Sequence, residues 1–273
     1  MSISWRQTSK VILDIGAEAW TFGSKQYVEE AVNNVVDYLE KRNQKLVAKA
    51  PIPLTSGYHP EIDVAAELDA ADASYYHLLI CIIRWILELG RIYITHEISI
   101  LSSHLALPRK VHLEEMFHVF AYLKNHMNSE IVFDPTTPEV DMDIFQKQDW
   151  SFSVYSSPGE ELKEEFPPNM PEPLGITFVI RVYVDAYHAG ESVTRRSRSG
   201  YIVFLNSAPI YWLSKKQTSC ETSTFGSEFV SMKQAKEYTH GLRYKIRMFG
   251  ILVTEPAFFH GDNQSVLCNT TAP

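Results

Sequence analysis

Cysteine is scarce in this sequence. Three residues, Cys81, Cys220 and Cys268, odd in number and far apart, give neither a disulfide framework nor the paired spacing of a zinc site. The expected setting is therefore a reducing, intracellular one, cytoplasmic or nuclear. Positive charge is also short: 25 Lys plus Arg stand against 33 Asp plus Glu, a formal net charge of −8, which excludes the basic surface of a general nucleic-acid binder. Any grip on nucleic acid has to be local. Long apolar runs are missing too. The most apolar stretch, residues 78–89, is interrupted by Arg84 and Glu88 and is shorter than the ~20 residues that span a bilayer, so no membrane association is expected. The first ten residues are polar and lack the apolar segment of a secretory leader.

What is present is the make-up of a folded protein, with 45% hydrophobic and 12% aromatic residues in 273. That length holds two modest domains, each with its own core. Residues 1–22 show no sustained period. Ser24 then stands where it can cap a helix whose stripe is Tyr27, Ala31, Val35, Tyr38 and Leu39, with Pro51 and Pro53 as its stop. Residues 73–128 read as a helical bundle broken at Pro108, with Tyr76, Leu79, Ile80, Ile83, Ile86 and Leu87, then Phe117, Phe120, Ala121 and Leu123, recurring at three and four. Its last helix is expected to start near His112 with Glu114 and Glu115 in the first turn. His112, His118 and His126 share no ligand face and read as surface or core residues.

Residues 134–173 are rich in Pro, Asp, Glu and Ser, which forbids long regular structure and predicts an acidic linker. Beyond it the period changes to two. Ile176, Phe178, Ile180, Val182 and Val184 alternate with polar neighbours and predict a strand ending in Asp185. Residues 201–205 and 210–213 predict a hairpin joined through residues 206–209. Residues 224–249 predict a helix with Phe225, Phe229, Met232, Ala235, Leu242 and Ile246 facing inward and Gly250 as its stop. A short strand, residues 257–260, leads to Asp262. The fold class expected is α+β: a helical first region, residues 1–133, then a mixed-sheet α/β domain, residues 174–273.

Asp185, Glu228 and Asp262 come from three elements whose ends can converge, and clustered carboxylates are the ligands that hard divalent cations require. Each alone is also a common turn or surface residue. Glu228 differs, since it lies between Phe225 and Phe229, where an uncompensated charge is costly. Tyr183-Val184-Asp185-Ala186 is similar to the Tyr-x-Asp-Asp turn of polymerase palms, but Ala186 replaces the second aspartate that a palm needs.

The segments Val184-Asp185-Ala186-Tyr187-His188-Ala189-Gly190, 194–200, 212–217, Ser227-Glu228-Phe229 and Gly261-Asp262-Asn263-Gln264-Ser265 resemble the ribonuclease H domain of copia-type retrotransposon polyproteins. Residues 57–150, through Tyr58-His59-Pro60-Glu61-Ile62-Asp63 and Leu105-Ala106-Leu107-Pro108-Arg109, resemble the preceding end of the reverse-transcriptase region and its thumb-like connection. The resemblance implies Mg²⁺-dependent hydrolysis, with Mn²⁺ as a second usable ion, of the RNA strand in an RNA·DNA hybrid. It puts the first three family acids on Asp185, Glu228 and Asp262, as catalytic and metal-binding residues. Arg195, Arg196, Arg198, Lys215 and Lys216 fit phosphate contacts on that surface, or equally a solvated hairpin. The family's fourth acid lies on a later helix, which this sequence does not reach, and the paired palm aspartates are absent. The expectations are a ribonuclease H-like domain truncated at its C-terminus, with an apolar face left open, and no polymerase activity. The partners implied are nucleic acid and the polymerase portion of a polyprotein. The alternative is a catalytically inactive retroelement remnant that binds nucleic acid or protein.

Overall fold

A computed structural model of the chain describes residues 7–143 and 168–271. Most of the acidic Pro-rich segment, including its Glu160 and Glu161, lies outside the described residues. The chain divides into two compact units, Met1–Asp134 with Ala189–Arg196 and Ser214–Lys216, and Pro135–His188 with Ser197–Leu213 and Gln217–Pro273. The architecture is α+β, with one antiparallel and one mixed sheet.

The first unit opens with strands where no period was expected. β1 (Gln7–Ile12) pairs antiparallel with β2 (Glu18–Gly23) through a turn in which Gly16 has φ +81. After α1 (Lys25–Glu40), α2 (Ala70–Glu88), α3 (Thr95–Leu101) and α4 (Lys110–Asn125), the chain returns as β3 (Glu130–Phe133) on the other side of β2. The first region is thus not all helical. β1 is almost wholly exposed and has no buried face to leave a period-two trace.

Helices α1, α2 and α4 pack their apolar stripes into one core, led by Val28, Val35, Tyr76, Ile83, Met116 and Phe120. Ser24 occupies the cap position of α1 without capping it. Its buried hydroxyl instead accepts from Arg91 Nε at 3.2 Å. The helix stops at Glu40, eleven residues before Pro51, because Asn43 takes a left-handed conformation (φ 56) and Gln44 N–H returns to Leu39 O. Gly90, at φ +100, ends α2 where a Cβ would press within 3.3 Å of the Phe22 and Ile131 side chains. α4 begins at Lys110, so Glu114 and Glu115 fall beyond its first turn; His112 Nδ1 accepts from Arg109 N–H there.

The apolar stretch of residues 78–89 lies in α2 up to Glu88, with Leu89 as its C-cap. Among the described residues, α2 is long and apolar enough to cross a membrane by length and composition. Its Tyr76, Leu79, Ile80, Ile83 and Ile86 fill the core of the first unit instead. The histidines of α4 and its end have local partners, His118 with Ile52 O and His126 with Tyr122 O.

In the second unit, β4 (Ile180–Tyr187), β5 (Arg198–Leu205) and β6 (Ala208–Lys216) are followed by α5 (Thr224–Met248), β7 (Ala257–His260) and α6 (Gln264–Thr271). The sheet order is β6-β5-β4-β7. β5 is antiparallel to β4 and β7 is parallel to it, while α5 covers β4 and β5. Ile180, Val182 and Val184 form the inner face of β4, as their alternation requires. The strand starts at Ile180, not Ile176, and runs two residues past Asp185. Ile176 is exposed. The residues alternating outward on β4 are Arg181, Tyr183, Asp185 and Tyr187, polar or amphipathic rather than aliphatic.

The hairpin is tighter than expected: Asn206 and Ser207 alone join β5 to β6, with Asn206 at φ 52. The inner face of α5 also departs from the apolar stripe. Its buried residues include Ser227, Ser231, Ala235 and Thr239, one every fourth position. Phe229 is exposed, and its ring stacks on Phe225 at 5.8 Å. Small side chains on this line let the helix backbone lie close to the sheet.

Candidate metal centre

The register of the parallel pair sets the geometry of the site. Tyr183 on β4 is level with His260 on β7. Two residues farther along each chain, Asp185 and Asp262 come level at the same end of the sheet. β7 finishes at His260, and the chain bends at Asp262; a Cβ on Gly261 would lie 3.4 Å from Met232 Cε on α5. Glu228 is the fifth residue of α5, whose N-terminus Ser223 caps by accepting from Gly226 N–H.

These three carboxylates meet. One oxygen from each of Asp185, Glu228 and Asp262 lies within 4.8 Å of the other two, and they are the one group of three or more potential metal ligands among the described residues. Ala186 N–H is shared between two of them, donating to Asp185 Oδ1 at 2.7 Å and to Glu228 Oε1 at 3.1 Å. A backbone donor at the hub of an acid cluster fixes two carboxylates against each other without neutralising either.

The electrostatics follow from the crowding. Partial burial pushes the Glu228 carboxyl up to about 7; the Ala186 N–H pulls it down, while the charges of Asp185 and Asp262 and a hydrogen bond with Asp185 push it up again. A cation among the three would relieve that repulsion. Three hard oxygen donors suit Mg²⁺ or Mn²⁺, and the donor set contains no thiolate or imidazole that would favour a softer ion.

The basic residues are divided between the two units. Arg195 and Arg196 are exposed on the turn after β4, with Arg195 at φ 56. Lys215 is exposed at the end of β6, and its neighbour Lys216 is drawn to Glu191 Oε1 at 2.9 Å. Arg198, half-buried, opens β5 and belongs to the second unit, whereas the other four belong to the first.

Sequence reasoning missed a buried polar layer between α5 and the sheet. His188 Nδ1 contacts Ser227 Oγ at 3.2 Å and Ser197 Oγ at 3.5 Å. The Gln217 amide, 2% exposed, lies among Ser199, Ser227 and Ser231. The signal was available in the four-residue recurrence of Ser227, Ser231, Ala235 and Thr239, which a search restricted to apolar positions passes over.

Comparison with known proteins adds ancestry. The chain is similar to the "Retrovirus-related Pol polyprotein from transposon RE1" of Arabidopsis thaliana, 22% identical over 229 residues, 84% of this chain and 13% of that protein. It is similar to the "Retrovirus-related Pol polyprotein from transposon RE2" of the same plant, 32% identical over 89 residues, 33% of this chain and 6% of that protein. Both are retrovirus-related Pol polyproteins of transposons. Over 65 residues it is 35% identical to the "Secreted RxLR effector protein 161" of Plasmopara viticola, 24% of this chain and 46% of that protein. The chain thus spans a small part of the length of its Pol relatives. No family model and no solved structure matches it.

Proposed function

From a chain that is retroelement-derived and homologous to copia-type retrovirus-related Pol polyproteins, we propose a ribonuclease H-type activity: divalent-metal-dependent hydrolysis of the RNA strand of an RNA·DNA hybrid. The observation that carries this reading is the meeting of Asp185, Glu228 and Asp262 within 4.8 Å. In the same reading, the first unit is the end of a reverse-transcriptase region with its connection, and its natural partners are nucleic acid and a polymerase portion, inside the cell.

Asp185, Glu228 and Asp262 would hold Mg²⁺, or Mn²⁺ in its place. When bound, such an ion supplies Lewis-acid polarisation of a phosphate and lowers the pKa of a coordinated water. The chain's own part is positional. Ala186 N–H keeps the Asp185 and Glu228 oxygens turned toward one point, and the parallel register brings Asp262 to it. Glu228, held near pH 7, gives up its proton readily once positive charge arrives. Arg195, Arg196, Arg198, Lys215 and Lys216 are proposed as phosphate contacts that position the duplex without reading bases.

The test is a gel assay of purified protein on end-labelled RNA·DNA hybrid with Mg²⁺, Mn²⁺ or chelator. Cleavage is expected with either ion, none with chelator, and a loss of at least ~100-fold in Asp185→Asn, as for removal of a group that organises transition-state charge. Equal cleavage by Asp185→Asn would sink the reading. Binding to the hybrid without cleavage by the wild-type protein would support an inert nucleic-acid-binding module instead.

A further inference from the structure

We infer that Gln217 is the positioning residue that sets the spacing between Asp185 and Glu228, by tying the first turns of α5 to β5 through its side-chain amide. The inference rests on the carboxylate site described above and extends it to a residue that touches none of the three acids.

Gln217 follows β6 directly and is 2% exposed. Its backbone N–H donates to Ser197 O at 2.8 Å, which anchors the residue to the start of β5. Its Nε2 then donates in two directions: to Ser199 Oγ on β5 at 3.0 Å, and to Ser227 O on α5 at 2.9 Å, with Ser231 Oγ at 3.4 Å as a weaker third partner. The carbonyl of Ser227 can only accept, so it dictates which end of the amide faces α5. Oε1 is left buried with no protein partner. An amide that leaves its own carbonyl unpaired in order to place both N–H groups is held there by what those groups connect.

What they connect closes a loop. Ser199 pairs with Ala186 across β5 and β4, and Gly200 pairs with Asp185. Ala186 N–H donates to Glu228 Oε1, and Glu228 follows Ser227, whose carbonyl Gln217 holds. The path therefore runs from β4 to β5, through the Gln217 amide to α5, and back through Glu228 to β4. Beside the amide, His188 contacts both Ser227 and Ser197 at this level. The hydroxyl-bearing inner face of α5 offers little apolar grip there, since Ser227 and Ser231 occupy the positions nearest the site.

The experiment is Mn²⁺ binding to the full chain at pH 8, followed by calorimetry and by electron paramagnetic resonance. Gln217→Met keeps the volume and removes both N–H groups; its dissociation constant should rise about tenfold, as for the loss of a partner that orients metal ligands. Thr239→Val removes a buried hydroxyl from the same face of α5, two turns and more beyond Ser231, and should leave Mn²⁺ affinity within twofold. Loss of affinity that merely tracks lost stability would appear in both variants and would overturn the inference. Unchanged Mn²⁺ affinity in Gln217→Met overturns it too. Should Gln217→Met fail to fold, Ser199→Ala removes one end of the tie and is expected to weaken binding about threefold; no change there has the same force. Wild-type protein that binds Mn²⁺ while Asp185→Asn does not keeps the carboxylate site standing whichever way the Gln217 result falls. Absence of Mn²⁺ binding by the wild type removes the site, and this inference with it.

Discussion

Replacing Glu228 with glutamine should stabilise the ion-free protein at alkaline pH. Glu228 is partly buried beside two other carboxylates, and that burial first, then the charges of Asp185 and Asp262, lift its carboxyl to about 7 where 4.5 is ordinary. The folded state therefore holds this proton more tightly than the unfolded chain does. That contribution to stability is fully present below pH 4.5 and is lost as pH rises through about 7. At roughly 1.4 kcal/mol per pH unit the full difference is about 3 kcal/mol. Glu228 is only part-buried, so solvent screening reduces this to on the order of 1 to 2 kcal/mol. Glutamine keeps the oxygen that accepts from Ala186 N–H and carries no charge.

Hydrogen exchange of the β4 and β5 amides, with chelator present, reads this gain in the second unit without reference to the first. Protection in Glu228→Gln should exceed wild type about 5- to 30-fold at pH 8, and the two should converge at pH 5. Mg²⁺ added at pH 8 should then stabilise wild type and leave Glu228→Gln nearly unchanged. If Glu228→Gln is no better protected than wild type at pH 8, or if its advantage is as large at pH 5, burial and the neighbouring acids do not raise the Glu228 carboxyl as argued.

Two further substitutions probe the scaffold. Arg91→Lys should cost about 2 to 3 kcal/mol by chemical denaturation of the first unit: the buried guanidinium donates to Ser24 Oγ, Tyr93 OH, His126 O and Met127 O, and an ammonium cannot reproduce that fork. Asn206→Ala should destabilise the β5–β6 hairpin by about 1 kcal/mol more than Asn206→Gly, because both lose the side-chain bonds to Val179 N and Pro135 O but alanine is also strained at a positive φ; equal losses in the exchange of hairpin amides would contradict this.

The parts of the fold that were legible in sequence are those where one face is apolar and the other is not. Ile180, Val182 and Val184 declared the inner face of β4, and α2 and α4 declared theirs at three and four. β1, β2 and β3 were not legible. β1 is exposed on both faces, and β3 lies more than a hundred residues from the β2 strand it pairs with, so no local window contains the reason for either. Ser24 misled for a related cause. Its hydroxyl answers Arg91 rather than the helix that follows it, and a partner that distant leaves no mark near residue 24.

The candidate site was easier to read than the helix that carries a third of it, and the asymmetry has a physical origin. Three acids at the ends of predicted elements are conspicuous, because chain direction alone says those ends can share one side of a sheet. The face by which α5 meets the sheet is inconspicuous, because it is built from hydroxyls: Ser227, Ser231 and Thr239 are nearly inaccessible, yet none is apolar. An aliphatic stripe would have held α5 at a distance set by bulky side chains. Small polar residues let it approach, and then every buried hydroxyl needs a partner. Ser227 takes Thr224 O and His188, Thr239 takes Ala235 O, and Ser231 receives Gln217. Directional bonds fix a helix more narrowly than apolar contact does: the bonds to Thr224 O and Ala235 O lie within α5, but a slide that costs packing little would break those that His188 and Gln217 make to Ser227 and Ser231. A cluster that must keep three like charges within a few ångströms needs that kind of constraint more than it needs extra burial, and the polar layer beneath Glu228 supplies it.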